Sequence, residues 1–380
     1  MRRTAKFRCV QRLLPVVIAA GLVAATGLGT AAEAKSKPKS NSLTPPAAQL
    51  TGAGSTFDQP FFTRAFYEYN LKYPKVTVNY ASIGSGGGIA QFQANTVNFG
   101  ASDVPMAASE IALDTAGPMV QVPVDLGGEA ISYNLTGVLP GLHLTGTVIA
   151  EIYLGKITKW NDPAITALNP KVTLPNEAIT VVHRADGSGT TYIFTNYLST
   201  VSKAWASGPG TGKLVAWPVG VGGQGNEGVA GEVSEVPGAI GYVELAYAIQ
   251  NNFTYAAVKN AAGKWVEPSL TSVAAAAAQK PDVTATDFAI VDEPGKGSYP
   301  VSGYSWGLIY EHQKNATDGK ALVDLFEWLT HSGGQSQALA LDYVPLPANI
   351  QALAQSTLLK IDGPNGKALL TLSSGKKKKK

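Results

Sequence analysis

Beyond its ninth residue the chain contains no cysteine, since Cys9 is the only one in 380 residues. Disulfides, thiolate nucleophiles and cysteine-based metal sites are thereby excluded from everything that follows it. Histidine is almost as scarce. His143, His183, His312 and His331 are scattered, with no spacing that builds a zinc site. The G-x-x-x-x-G-K-[ST] phosphate loop is missing. An excess of positive charge is lacking too: 30 Lys and Arg face 27 Asp and Glu, a formal +3. Leaving out residues 1–34 gives 25 basic against 26 acidic residues, and setting aside Lys376 to Lys380 as well gives about −6. That balance excludes a nucleic-acid surface.

The apolar run Leu13 to Leu28 is interrupted by Gly21, Thr26 and Gly27, short of the roughly 20 apolar residues of a membrane anchor. Arg2, Arg3, Lys6, Arg8 and Arg12 precede it and Ala32-Glu33-Ala34 follow it. This order predicts a secretory signal over residues 1–34 and a mature chain starting near Lys35. No cysteine follows the run for lipid attachment, so the expected destination is the periplasm, as a protein of the cell envelope without a lipid anchor. Residues 35–46 read as a flexible leader rich in Lys, Ser and Pro, and residues 373–380 as a disordered lysine tail. The whole chain is 45% hydrophobic, and what lies between is long enough for two cores.

Three times in this folded part a strand runs into a turn of small residues and then a helix. Leu50-Thr-Gly-Ala-Gly-Ser-Thr-Phe57 leads to Phe57, Phe61, Ala65 and Tyr69 at helical spacing, so Thr56 is expected at the helix start with its hydroxyl as cap. Val76 to Tyr80 alternates as a strand, Ile83-Gly-Ser-Gly-Gly-Gly88 turns, and a helical pattern resumes over Ile89 to Ala94, leaving Ser85 at the corner. The third corner is Thr180-Val-Val-His-Arg-Ala-Asp-Gly-Ser-Gly-Thr-Thr-Tyr192. An apolar strand delivers Arg184 to a turn carrying Ser188 and Thr190, and a helix follows. A guanidinium beside the free N–H groups of a helix start makes a seat for a small anion. His183, next to Arg184 on the strand, is expected to point to the opposite side. Phe99-Gly-Ala-Ser-Asp103 sets a carboxylate at the end of an apolar segment.

Val120 to Leu126 and Ala130 to Leu135 read as two strands joined by Gly127-Gly128. Helices are expected over Thr147–Leu154 and Leu270–Ala278 and around Leu322, Leu325, Phe326 and Leu329, with strands at Ala239–Tyr242 and Trp306–Tyr310. Gly220 to Gly225 matches a dinucleotide motif in letters only, because Trp217-Pro218 stands where a clean strand should lead in. Alternation of strands and helices throughout makes the class α/β. The residues alone leave three functions open: an anion receptor for phosphate, a receptor for another oxyanion such as sulfate, and a phosphatase or esterase using Ser188 or Ser85.

Taken together, Gly52 to Phe57, Ile83-Gly-Ser85, Phe99 to Asp103 and Arg184 to Thr190 resemble the periplasmic phosphate-binding proteins of high-affinity phosphate ABC importers. The resemblance runs from about Leu50 to Leu346 and takes in Ile152 to Trp160, Gly222-Gly-Gln-Gly-Asn226 and Pro237 to Val243. It implies a two-lobed type II binding-protein fold with mixed sheets and a cleft between the lobes. Residues 47–126 and 300–372 would form lobe 1, and residues 127–299 lobe 2. It implies a phosphate site of Thr56, Phe57, Ser85, Asp103, Arg184, Ser188, Gly189 and Thr190, with Asp186 orienting the arginine. It further implies no enzymatic activity, no cofactor and no metal, a monomer, and a membrane permease as partner. Two departures stand out: Gly86 replaces a common second serine, which would loosen that turn, and His183 stands where another basic residue can occur.

Overall fold

The computed structural model describes residues 43–371. The expected signal over 1–34, the leader up to residue 42 and the lysine tail lie outside the described residues. The chain runs β1 (Ala48–Gly54), α1 (Gln59–Lys72), β2 (Val76–Ser82), α2 (Gly84–Gln93), β3 (Phe99–Ser102), α3 (Ala108–Ala112) and the long β4 (Met119–Tyr133). Next come β5 (His143–Thr145), α4 (Gly146–Tyr153), α5 (Pro163–Thr166), β6 (Thr180–Arg184), α6 (Gly189–Val201), α7 (Lys203–Ser207), β7 (Val221–Gly223), α8 (Gly225–Glu235), β8 (Ala239–Glu244) and α9 (Leu245–Gln250). The remainder is β9 (Thr254–Tyr255), β10 (Ala257–Lys259), β11 (Trp265–Val266), α10 (Leu270–Ala277), β12 (Ser302–Tyr310), α11 (Ala316–Thr330), α12 (Ser332–Ala338) and α13 (Ala348–Leu358).

Nine strands form one mixed sheet in the order β2-β1-β3-β12-β4-β8-β6-β7, with β9 added on β4. β1 pairs in parallel with β2 and β3, and β6 with β7 and β8, while β12 and β8 run antiparallel to β4. The mixed α/β architecture matches the expected class. A separate sheet of β11, β10 and β5 has strands of two or three residues, too short to leave an alternating pattern in the sequence.

Two expectations need correction here. Residues 119–133 form a single strand rather than two strands joined at Gly127-Gly128. The glycines serve close packing instead, because a Cβ on Gly127 would lie 2.5 Å from the Phe57 ring. β4 pairs with β12 up to Gly128 and with β8 from Glu129 onward, so one strand serves both halves of the sheet. Thr56, for its part, is not the cap of α1. Pro60 in the first helical turn defers the helix to Gln59 behind Asp58, and frees the Thr56 hydroxyl for a longer-range partner.

Phe61, Phe62, Ala65, Phe66 and Tyr69 form the buried face of α1 at the expected spacing. They join Leu50, Phe99, Leu325 and Phe326 in one core. A second core gathers Tyr153, Trp160, Phe194, Trp205 and Tyr242 around β6, β8 and α6. Each such side chain contributes about 1.5–3 kcal/mol by leaving water. The three corners lie at strand ends flanked by these cores, which holds their backbones in place.

Candidate anion-binding site

All three corners converge. At the first, Thr56 is 2% exposed and its Oγ1 accepts from both the backbone N–H of Asn226 at 3.1 Å and the Asn226 side chain at 2.9 Å. Its carbonyl accepts from the Tyr247 hydroxyl at 2.7 Å, and the Phe57 carbonyl from the Tyr343 hydroxyl at 2.5 Å. Among the described residues the backbone N–H groups of Thr56 and Phe57 have no acceptor, so this corner presents two free donors.

At the second corner α2 begins at Gly84, five residues earlier than the resumption of its apolar pattern suggests. Tertiary contact compensates for the poor helix propensity of the glycines. The Gly86 N–H donates to the Gly187 carbonyl at 2.8 Å, and a Cβ on Gly86 would lie 3.1 Å from the Gly187 Cα. Glycine at position 86 thus lets the two turns approach closely. Ser85, in the first turn of α2, accepts at Oγ from the Gly189 N–H at 3.0 Å and the Asp103 N–H at 3.2 Å.

Arg184 ends β6 at the third corner, 2% exposed. Its Nε and a terminal nitrogen reach the two oxygens of Asp186 at 2.7 and 2.5 Å, and its other terminal nitrogen reaches the Thr190 hydroxyl at 3.2 Å. Burial opposes the arginine's charge, but the Asp186 bonds outweigh it and Arg184 holds its proton more firmly than usual. Burial likewise acts to raise Asp186, and the Arg184 bonds and charge overcome it to leave that carboxyl below its ordinary range. Asp186 also accepts from the Gly225 N–H at 3.1 Å, so the arginine is oriented by a carboxylate that is itself fixed. Ser188 caps α6 by accepting from the Thr191 N–H at 3.0 Å. His183 lies off the site, stacked on Trp217 with ring centroids 4.7 Å apart.

Asp103 sits between the corners, 3% exposed. Its Oδ1 accepts from the Ser55 hydroxyl and from Ser305 at 3.4 Å, and its Oδ2 from Thr190 at 3.1 Å. Burial pushes this carboxyl up to about 6, against the pull of the Ser55 hydroxyl, the Arg184 charge and Thr190. The structure thus gathers Thr56, Phe57, Ser85, Asp103, Arg184, Ser188, Gly189 and Thr190, with Asp186 behind the arginine.

Three participants carry no role in the sequence reading. Asn226 bridges Thr56 and Thr190, donating to the latter at 3.3 Å, and accepts from the Glu244 N–H at 3.0 Å. Its only signal is its place at the end of Gly222-Gly-Gln-Gly-Asn226. Ser55 is signalled by adjacency to Thr56. Ser305 lies inside the strand Ser302–Tyr310, in Gly303-Tyr-Ser-Trp-Gly307, away from the three corner motifs.

A model of the PBP superfamily domain matches residues 39–332. The chain is 47% identical over 319 residues to the phosphate-binding protein PstS of Xylella fastidiosa, covering 82% of this chain and 86% of that one. It belongs to the PstS family of phosphate-binding proteins. The PstS protein of Pasteurella multocida is 45% identical over 334 residues, covering 86% and 95% of the two chains. The archaeal PstS of Methanocaldococcus jannaschii is 34% identical over 360 residues, covering 89% and 90%.

Solved structures agree on the fold. A high-affinity periplasmic phosphate-binding protein bound with phosphate superposes with TM-score 0.63 at 21% identity, over 82% of this chain and 94% of that one. The phosphate-binding protein of Stenotrophomonas maltophilia gives 0.61 at 20% identity over the same shares. The fold is therefore the two-lobed type II binding-protein fold, and the PstS family is one of substrate-binding proteins rather than enzymes. The Ser85 oxygen accepts from two backbone amides and the Ser188 oxygen caps a helix.

Proposed function

We propose that this PstS-family chain binds inorganic phosphate between its lobes through Thr56, Phe57, Ser85, Asp103, Arg184, Ser188, Gly189 and Thr190, and delivers it to an ABC importer. Docking on a membrane permease, a monomeric state and export to the periplasm by a signal over residues 1–34 belong to the same proposal. Among the described residues no helix is long and apolar enough to cross a membrane. We take residues 47–126 and 300–372 as one lobe and 127–299 as the other. The change of partner along β4 at Gly128 and Glu129 supports that division, as does the Glu129 N–H bonded to the Val301 carbonyl at 2.8 Å.

The observation that carries the reading is one carboxylate, Asp103, ringed by donors from both parts of the chain. Several of these groups satisfy one another: Gly189 N–H with Ser85, Thr190 with Asp103, Arg184 with Thr190. An incoming oxyanion exchanges such bonds for bonds to its own oxygens, so binding and lobe closure are a single coupled event. Net gains of about 0.5–1.5 kcal/mol per neutral bond and 1.5–3 for charged ones reach the roughly −8 kcal/mol of micromolar binding.

Phosphate keeps at least one proton near neutral pH and sulfate none. An ionised Asp103 accepts that proton, whereas against sulfate it faces lone pairs, an unmatched buried acceptor costing about 1–3 kcal/mol. Titration calorimetry of phosphate against sulfate tests this. Asp103→Asn should shrink the phosphate preference by about 10- to 100-fold, because an amide can donate to sulfate. Since Asp103 titrates near 6, the wild type should lose part of the same preference below that pH, when its carboxyl gains a proton to donate. An unchanged ratio in both experiments would take the discriminating role away from Asp103.

A further inference from the structure

Around Asp103 lie buried carboxyl groups that the phosphate site does not use. Asp58, Asp125, Glu129 and Glu244 have no exposed surface. Neither oxygen of Asp58, Asp125 or Glu129 receives a hydrogen bond from a protein donor, nor does Oε1 of Glu244. Among the described residues none of the four has a salt-bridge partner. An ionised carboxylate without a donor or a cation is costly to bury, so such groups are held neutral or share a proton.

The placement of two of them is specific. Asp125 is the cross-strand partner of Ser305, at the bulge where the β4–β12 register skips from Ser305↔Asp125 to Trp306↔Pro123. Directly opposed residues put their side chains on the same face, and the Ser305 hydroxyl also reaches Asp103 Oδ1 at 3.4 Å. Asp58 follows Thr56-Phe57 directly and pairs with Asp125, with Ser305 also in reach. The single hydroxyl proton of Ser305 can serve Asp103 or Asp58 but not both, and two adjacent acids satisfy each other only if one of them holds a proton.

We propose that Asp58 and Asp125 form a proton-sharing pair that sets the charge around Asp103, so that the site takes phosphate well only while the pair is protonated. The proposal rests on the phosphate reading of the site. Groups that face the pair come from several surrounding elements: the carboxyls of Asp103 and Glu244 and the phenols of Tyr80 and Tyr343, with Glu129 facing Asp103 and Glu244, and Tyr247 facing Glu244, beyond them. Arg184 is the one cation in reach, acting on Asp103 and Glu129, and it is already paired to Asp186. With every acid ionised, five negative charges would confront an incoming anion. Burial first, then the neighbouring Asp125 and Asp103 charges, hold Asp58 well above its ordinary range, and burial and Asp103 push Asp125 up to about 8. Burial also raises Glu129 and Glu244 well above their ordinary range. What sets the pair apart from the two glutamates is its link to the site: Asp125 lies opposite Ser305, whose hydroxyl reaches Asp103, so Asp58 and Asp125 act on phosphate through Ser305 and Asp103.

The test is calorimetry with inorganic phosphate from pH 6.5 to 9 on the full chain, its Asp58→Asn and Asp125→Asn variants and the double variant. An amide mimics the protonated acid permanently. Comparing proteins at each pH cancels the ligand's own ionisation. The wild type should lose at least about tenfold more affinity between pH 7 and 9 than the double variant. At pH 8, in buffers of different ionisation enthalpy, it should take up a proton on binding that the variant does not. Thermal melting gives a reading independent of phosphate. The pair's folded affinity for protons exceeds its unfolded one, so its stabilisation is complete below about pH 4 and fades as pH rises toward 8 and above. The phosphate-free wild type should melt progressively lower over that range, and either single variant should flatten the upper part. Equal pH profiles, or a profile flattened by Glu129→Gln and not by the pair variants, would overturn the proposal while leaving phosphate binding intact. No binding by the wild type at pH 6.5 would overturn the phosphate reading itself, and this proposal with it.

Discussion

Arg184→Ala should weaken phosphate binding by about 10²- to 10³-fold, the largest loss expected from any single side chain of the site. Arg184 is the one full positive charge there and is almost wholly buried. Its removal deletes a charge-assisted donor to the ligand and leaves Asp186 with its Gly225 N–H bond but no cation. Breaking one side of a buried ion pair costs about 3–5 kcal/mol, because the remaining charge has lost its partner. Thr56→Ala removes only a neutral hydroxyl that accepts from Asn226, and should cost about 1–2 kcal/mol, or roughly tenfold. Calorimetry on both variants decides the matter, with thermal melting as the check on folding. Equal losses would mean that the charge is not what the ligand chiefly feels.

Gly189→Val should reduce binding by about 10²-fold through geometry alone. A Cβ at Gly189 would lie 2.6 Å from the Asp103 Cβ and the Ser85 oxygen and 2.7 Å from the Asp103 backbone nitrogen. None of these is the far end of a flexible side chain, so the start of α6 must withdraw from the other half of the site. That withdrawal breaks the Gly189–Ser85 contact and moves Thr190 away from Asp103. The clash exists only where the two halves meet, so each half should fold as before. The expected signature is a phosphate-free melting temperature close to wild type, together with loss of the upward shift that phosphate gives the wild type. A normal shift would mean that the lobes close on phosphate with these backbones farther apart.

The same two positions indicate how far the chain was readable. Arg184 was legible because a strand pattern ends on it and a glycine turn with hydroxyls follows, all within a dozen residues. Gly189 was legible as part of a turn, but not as a contact with Asp103 and Ser85. Thr56 was placed correctly at a corner and given the wrong partner, since Pro60 moved the helix start and Asn226 claimed the hydroxyl. At Gly127-Gly128 a turn signal concealed a continuous strand, because what these glycines accommodate is the Phe57 ring, 70 residues earlier in sequence.

The sequence by itself determined the α/β alternation, the three strand-to-helix corners and the residue types that meet an anion. Each of these depends on interactions within one turn or one repeat of the backbone. Tertiary structure alone decided which hydroxyls face which acceptors. Thr56 meets Asn226 across 170 residues, and Ser305 meets Asp103 across 202. It also decided that four acids spread between residues 58 and 244 would be buried together around Asp103. A local pattern carries no record of such pairings, because burial and charge coupling arise only when distant segments share one low-dielectric interior.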